Sequence, residues 1–259
     1  MVRYKVKNYI LYTLSYAKTP TYGRLLAESH EGNLENLLIN SIYKATEGEG
    51  VHIGTPQIFV RFQGCRVGCL NCDSMDTWSF DEGEFWHLDS VLEEIKKFDL
   101  KRVSITGGDP LHPKNLDGVI SLAKALKQRG YYVNIEASGT RVVDELFDLI
   151  DFISFDYKTP STGVKTSMAL IERLVAQYQG KYQIKSVIES HDDFIDCLEK
   201  KKTLDPQVPW ILTPAYNFAE EFPEKRFQDI LNWNELANAP FRVIGQQHKW
   251  VFGPKKKRV

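Results

Sequence analysis

Short apolar segments alternate with longer amphipathic segments along the chain from about residue 57 onward. The short segments are rich in Val, Ile and Phe, a composition typical of buried strands. The longer segments repeat apolar residues every three or four positions, as helices with one buried face do. This alternation predicts repeated strand–helix units around a mostly parallel sheet, and therefore an α/β fold.

The pattern predicts seven strands and six helices. The expected strands cover 57–62, 102–105, 131–136, 152–155, 183–187, 210–212 and 242–244. The expected helices cover 88–98, 115–129, 141–149, 167–179, 192–202 and 227–237. Gly130 is expected to end the second helix, and Cys197 falls on the apolar face of the fifth, where a small buried side chain is predicted.

The chain contains no internal repeat and no linker rich in Gly, Pro or Ser, so one main domain is predicted, at 38–253. Residues 1–37 do not fit the alternating pattern and are interpreted as an N-terminal extension. Residues 254–259 form a tail with four positive charges. A solvated run of charge is the simpler interpretation of this tail, and a nuclear import signal is the alternative.

Charge and hydropathy narrow the classes of partner. The chain has 33 Lys and Arg residues against 34 Asp and Glu residues, a net charge of −1 and a pI of about 6.6. No overall positive field is available to attract nucleic acid or an anionic membrane. No apolar run approaches the roughly 18 residues of a membrane span, and no secretion signal is recognised, so a cytoplasmic protein is expected.

Three of the four cysteines, Cys65, Cys69 and Cys72, lie within eight residues, directly after the strand predicted at 57–62. Clustered thiols in a cytosolic chain more often bind a metal than form disulfides. A cubane iron–sulfur cluster has four irons, so three cysteines leave one iron open to an exchangeable ligand. A zinc site is the alternative, but no fourth Cys or His stands at finger-like spacing.

This cysteine spacing resembles that of the radical S-adenosylmethionine superfamily, and Gly107-Gly108-Asp109-Pro110 is similar to its GGEP motif. The resemblance implies an incomplete, TIM-like β/α barrel, a [4Fe-4S] cluster and S-adenosylmethionine, whose cleavage yields a 5′-deoxyadenosyl radical. Segments across about 40–253 also resemble the 7-carboxy-7-deazaguanine synthase family: 43–50, 54–56, 59–61, 72–78, 136–140, 158–163 and 246–249. Glu47 stands where that family usually has Gln.

The family resemblance implies a lyase reaction in queuosine and 7-deazapurine biosynthesis. It converts 6-carboxy-5,6,7,8-tetrahydropterin into 7-carboxy-7-deazaguanine with loss of ammonia. By position, Thr46, Glu47, Gly48 and Thr106 are expected to contact the pterin, and Arg61 to pair with its carboxylate. The expected contacts of S-adenosylmethionine are Asn71, Asp73, Gly108, Ser138, Asp156, Tyr157 and Lys158.

The resemblance further implies that Ser74 binds Mg²⁺ and that the enzyme is a homodimer reduced by a donor such as flavodoxin or ferredoxin. His248 is considered as a possible site residue, while Trp250 and Phe252 are expected to pack against the barrel. Two alternatives to the synthase are kept. One is an activating enzyme for a glycyl-radical protein, and the other is a non-enzymatic binding protein whose loop is stabilised by a structural metal site.

Overall fold

One open sheet forms the framework of the computed structural model, which describes residues 36–216 and 222–259. Nine strands are present within those ranges: β1 (Asn36–Thr46), β2 (Pro56–Phe62), β3 (Glu84–His87), β4 (Arg102–Gly107), β5 (Tyr132–Ala137), β6 (Phe152–Asp156), β7 (Tyr182–Ile188), β8 (Trp210–Pro214) and β9 (Arg242–Val243). Their order across the sheet is β3-β1-β2-β4-β5-β6-β7-β8-β9.

Seven neighbouring strands, β2 and β4 to β9, are parallel, whereas β1 is antiparallel to both β2 and β3. The intervening helices are α1 (Leu88–Lys96), α2 (Pro113–Gln128), α3 (Asp144–Phe147), α4 (Met168–Gln177), α5 (His191–Lys201), α6 (Glu224–Leu236) and α7 (Gln247–Phe252). The α/β class and the mostly parallel, incomplete sheet are confirmed. None of the helices in the described ranges is both long and apolar enough to cross a membrane.

Side chains alternate between two faces along each strand, and this alternation separates the core from the site. On β2, Ile58, Val60 and Phe62 are fully buried in the hydrophobic core. Phe59 and Arg61 point to the opposite face and line a cavity. The same sequence pattern therefore both builds the core and positions polar groups at the concave face of the sheet.

Local signals fix several helix ends. The imidazole of His112 accepts a hydrogen bond from the Lys114 backbone N–H at the start of α2, and Pro113 occupies the first turn, where no amide donor is needed. Ser190 and Asp193 form a capping box at the start of α5. Gly130 has a φ of 72°, directly after α2 ends.

The structure differs from the predicted elements at four places. Strand β3 is an exposed edge strand without alternation, and β1 begins two residues before the predicted domain boundary at 38. Helix α3 is a single turn, because the segment 141–143 is not helical. Helix α7 was not predicted. The expected packing is found for Trp250, which is 42% exposed but has its ring 5.7 Å from that of Phe222 and 5.9 Å from that of Phe227, whereas Phe252 is 55% exposed. The predicted extension lies outside the described residues up to position 35.

Candidate functional site

A cavity of about 350 Å³ opens where β2, β4, β5, β6 and β7 end. Carboxyl ends of parallel strands commonly carry the chemistry of barrel-type folds, because the loops that follow them meet at one face. Most of the residues predicted for the site line this cavity: Thr46, Glu47, Gly48, Arg61, Cys65, Cys69, Cys72, Asp73, Ser74, Thr106, Gly108, Ser138, Asp156 and Lys158.

Two predicted site residues do not line the cavity. The Tyr157 side chain is buried on the other side of β6, where its hydroxyl donates to Asp196 Oδ2 at 2.6 Å. The Asn71 amide makes a long contact of 3.4 Å with Glu189 Oε2. Both residues are neighbours in sequence of residues that line the cavity. Their backbones are therefore close to the site, but their side chains point away from it.

The three clustered cysteines occupy the loop between β2 and a short 3-10 helix, Met75–Thr77. All three thiols are free, half-buried and face the same cavity. Cys65 Sγ accepts from the Val67 N–H at 3.4 Å, and Cys72 Sγ accepts from the Ser74 N–H and the Trp78 indole at 3.4 and 3.3 Å. Hydrogen bonds to sulfur tune iron–sulfur thiolates, so this donor set fits a cluster.

Burial raises the pKa of the Cys69 thiol, whereas the nearby Lys158 ammonium works in the opposite direction. Burial also raises the pKa of Cys65. Bound iron would offset the cost of a buried thiolate. Across the described ranges, no three His, Cys, Asp or Glu side chains are grouped so that one ion could bind them all.

The glycine pair at the end of β4, Gly107 and Gly108, packs against the end of β2 and the start of the cysteine loop. A Cβ on Gly108 would lie 2.5 Å from the Gly64 carbonyl oxygen, so only glycine permits this approach. Asp109 is buried and accepts hydrogen bonds from the Leu111 N–H at 3.2 Å and the Ser138 hydroxyl at 3.1 Å. Asp109 therefore holds the next strand end against the loop rather than facing the cavity.

Arg61 and Thr106 are register partners on β2 and β4, so their side chains emerge side by side into the cavity. Among the residues that the structure describes, the hydrogen-bond partners of the guanidinium are neutral oxygens, the Gly107 carbonyl and the Tyr43 hydroxyl, both at 3.4 Å. Tyr43 and Phe59 stack beside it with ring centroids 5.4 Å apart. This arrangement presents a half-buried guanidinium next to an aromatic wall, which suits a planar carboxylate.

A buried ion-pair network centred on Lys185 was missed by sequence reasoning. The Lys185 ammonium lies 3.0 Å from Glu49 Oε2, 3.0 Å from Glu136 Oε2 and 4.0 Å from Asp156 Oδ1. Lys158 Nζ contacts the other Asp156 oxygen at 2.6 Å. One signal was available in the sequence: a lysine inside the apolar strand 183–187, as unusual there as Arg61 is in β2.

A second pair connects α7 to the cysteine loop. Lys249 Nζ lies 2.8 Å from Asp73 Oδ2, and although burial opposes the charge of Asp73, this ammonium holds its pKa well below the usual range. The Ser74 hydroxyl donates to Asp73 Oδ1 at 2.9 Å and faces the cavity. The Ser74 hydroxyl and the Asp73 carboxylate therefore lie side by side on the cavity wall. Both are hard oxygen ligands, so they fit a Mg²⁺ ion that takes part of its coordination from the protein.

The loop that follows β1 places residues 46–50 in contact with α7 and the residue before it. Glu47 accepts from the Gln57 amide at 2.6 Å, and the Gln246 amide donates to Glu49. A Cβ on Gly48 would lie 2.0 Å from His248 Nδ1, so glycine is required where the imidazole crosses the loop. Burial lowers the pKa of His248, which also lines the cavity.

The basic tail, residues 254–259, lies along the same cavity, and Lys257 Nζ pairs with Asp76 Oδ1 at 2.6 Å. Sequence reasoning gave the tail no role at the site, because nothing in its composition indicates where it folds back. The final helix α7 turns the chain so that the tail crosses the cysteine side of the opening.

Comparison with known proteins connects this geometry to a chemistry. Residues 46–154 match the family model described as a 4Fe-4S single cluster domain. A 7-carboxy-7-deazaguanine synthase of Leptospira interrogans is 30% identical over 238 residues, covering 84% of this chain and 96% of that protein. A protein of the same name from Methanospirillum hungatei is 31% identical over 213 residues, covering 82% and 84%.

Other comparisons are partial or structural. The synthase of Aquifex aeolicus is 37% identical over 110 residues, which is 42% of this chain and about half, 48%, of that relative. The crystal structure of QueE from Escherichia coli superimposes with a TM-score of 0.63 and 22% sequence identity, covering 86% of this chain and all of that one. This superposition shows a shared fold.

Proposed function

The chain belongs to the 7-carboxy-7-deazaguanine synthase family of radical S-adenosylmethionine enzymes, and we propose that it converts 6-carboxy-5,6,7,8-tetrahydropterin into 7-carboxy-7-deazaguanine with loss of ammonia. One observation carries the proposal: the cysteine loop and the paired Arg61 and Thr106 face a single cavity. Membership of this family also decides against the activating-enzyme and structural-metal alternatives.

The cofactors of the family are a [4Fe-4S] cluster and S-adenosylmethionine. Cys65, Cys69 and Cys72 would hold the cluster, which together with S-adenosylmethionine supplies a carbon-centred radical able to abstract hydrogen. The cavity wall at Gly108, Ser138, Asp156 and Lys158 offers both polar groups and close backbone approach to S-adenosylmethionine. For Asn71 and Tyr157, backbone contacts are the form of cofactor binding compatible with their side-chain directions.

Substrate placement follows from the charges of the wall. Arg61 would bind the pterin carboxylate, and Thr46, Glu47, Gly48 and Thr106, which line the same cavity, would contact the ring. Ser74, with Asp73 beside it, would contribute an oxygen to Mg²⁺, whose remaining ligands come from water and substrate. The ion pairs of Lys185 with Glu49 and Glu136 hold these charged side chains in place at the cavity wall. The charges are therefore preorganised, and these side chains need not rearrange when the substrate binds.

An external protein reductant is part of the proposal. The basic tail beside the cysteine loop and the exposed side chain of Leu70 give this rim a positive, partly apolar character. Such a rim complements an acidic electron-transfer protein of the flavodoxin or ferredoxin type. A homodimer and a cytoplasmic location stay predictions from the family resemblance.

The direct test is an anaerobic assay. The enzyme is reconstituted with iron and sulfide and supplied with S-adenosylmethionine, reductant, Mg²⁺ and 6-carboxytetrahydropterin, and products are identified by mass spectrometry. We expect 7-carboxy-7-deazaguanine. Formation of 5′-deoxyadenosine without that product would refute the substrate assignment, and an intact iron–sulfur spectrum without either product would refute the proposed reaction.

Replacing Arg61 with Gln tests the carboxylate site. We expect KM for the pterin to rise by about 10- to 100-fold, because the substrate loses a charge-assisted hydrogen-bond pair in a buried cavity. Steady-state kinetics measures the change, and the iron content confirms that the cluster is intact. The matched control is Arg173→Gln, at an exposed arginine on α4 that pairs with Asp144. Equal KM values in the two variants would remove Arg61 from the substrate site.

A further inference from the structure

We propose that Glu47 recognises the pterin as a neutral carboxylic acid, donating its own proton to an acceptor on the ring, and that the substrate therefore binds together with one proton at alkaline pH. The inference rests on the proposed function and deepens it. It concerns a position at which an ionised carboxylate would present only acceptors.

Among the described residues, no Lys or Arg side chain forms an ion pair with Glu47. Lys185 is shared among Glu49, Glu136 and Asp156, and Lys158 is paired with Asp156. In the part of the chain that the structure describes, the hydrogen bonds to Glu47 come from neutral donors, the Gln57 amide and the Glu49 N–H. In the cluster around Lys158 and Lys185, four carboxylates thus share two ammonium groups, and the carboxyl of Glu47, which pairs with neither, is where a proton costs least to add.

Burial and charge act on Glu47 in the same direction. The residue is only 8% exposed. Burial is the largest cause that raises its pKa, the carboxylates of Glu136 and Glu49 act in the same direction and Lys185 opposes them, and together they bring the pKa to about 7. From α7, His248 supplies no compensating charge near neutral pH, because burial lowers the pKa of that imidazole.

A chain of hydrogen bonds decides which oxygen carries the proton. Arg102 Nε on β4 donates to Gln57 Oε1 at 3.2 Å, which fixes the orientation of the amide. Gln57 Nε2 then donates to Glu47 Oε2 at 2.6 Å, a shorter bond than the 3.2 Å bond that Oε1 accepts from the Glu49 N–H, so Oε2 is the more strongly engaged acceptor. The proton therefore belongs on Oε1. Since Glu47 lines the cavity, a ligand there meets one donor from this carboxyl group.

The pyrimidinone edge of a pterin carries adjacent donors and acceptors, so it is matched by a group that both donates and accepts. A protonated carboxyl provides this, and so does a primary amide, but the amide does not titrate. Glu47→Gln therefore keeps the shape and the hydrogen-bonding capacity while it removes the proton linkage. It is a conservative variant in which the folded site is retained.

The experiment measures protons taken up on binding. Pterin is titrated anaerobically into reconstituted enzyme with S-adenosylmethionine, by calorimetry in two buffers of different ionisation enthalpy. For a pKa of about 7 in the free enzyme, uptake should rise from about 0.1 proton at pH 6 to about 0.9 at pH 8, and Kd should weaken about tenfold. Glu47→Gln should show no uptake and a constant Kd. Titration of the pterin alone accounts for its own protons.

The outcomes separate the two proposals. Binding and product formation without proton uptake in the unsubstituted enzyme at pH 8 would overturn the inference and leave the proposed function standing. Equal uptake in Glu47→Gln would also overturn it, because another group would then carry the proton. Failure of the pterin to bind or react in either protein would refute the proposed function, and the inference with it.

Discussion

Replacing Cys69 with alanine is expected to abolish cluster assembly and all turnover. The three cysteines line one cavity, and each would bind a different iron, so loss of the middle thiolate leaves two irons without a protein ligand. Iron and acid-labile sulfide are measured after anaerobic reconstitution, together with 5′-deoxyadenosine. We expect both cluster content and turnover at background. Full activity in this variant would refute the radical mechanism.

The matched control for that experiment is Cys197→Ala. Cys197 is fully buried on α5 and belongs to the hydrophobic core, away from the cavity. Truncation there removes one buried sulfur and should cost about 1 kcal/mol of folding free energy. We expect cluster content and turnover to be unchanged. A shared loss in both variants would point to instability rather than to cluster ligation.

The parallel part of the sheet could be predicted because each of its strands is a short apolar run between amphipathic helices. All seven predicted strands are present, with ends shifted by two residues or less. Strand β3 could not be found in this way, because an edge strand with one partner is exposed and needs no apolar alternation. Helix α7 is similarly hidden, since Trp250 and Phe252 are apolar yet exposed.

The site residues that could be predicted are those that belong to a short sequence motif. The spacing of Cys65, Cys69 and Cys72 and the glycine pair at 107–108 are such patterns, since both are read along the chain. Lys185 and Lys249 are different, because their roles depend on partners far away in sequence, Glu136 and Asp73. Only the register of β7 beside β6 and the return of α7 across the opening bring these charges together.

Lys185 is the charge on which this part of the site depends. Its side chain is 13% exposed and lies within 3.0 Å of two carboxylates. Burial by itself opposes ionisation of Glu49, but the Lys185 charge overrides this effect and brings the pKa of Glu49 to about 2. The folded pKa is thus below the unfolded value of 4.5, so ionised Glu49 stabilises the fold above about pH 4.5, and this contribution is lost as pH falls toward 2.

Replacing Lys185 with Met keeps the length of the side chain and removes its charge. Glu49 and Glu136 then lose this ammonium in a largely buried wall, while Asp156 keeps its ion pair with Lys158, and the free energy of unfolding should fall by about 3–5 kcal/mol near pH 8. Their folded pKa values would rise above the unfolded ones, so the deficit should shrink toward about pH 5 as they protonate. Urea unfolding at both pH values measures this. Lys124→Met, at an exposed pair with Glu145, should cost less than about 1 kcal/mol at either pH. A Lys185→Met protein as stable as the unsubstituted one near pH 8 would mean that the carboxylates are already neutral, and the charge assignment of the whole cavity would have to be reversed.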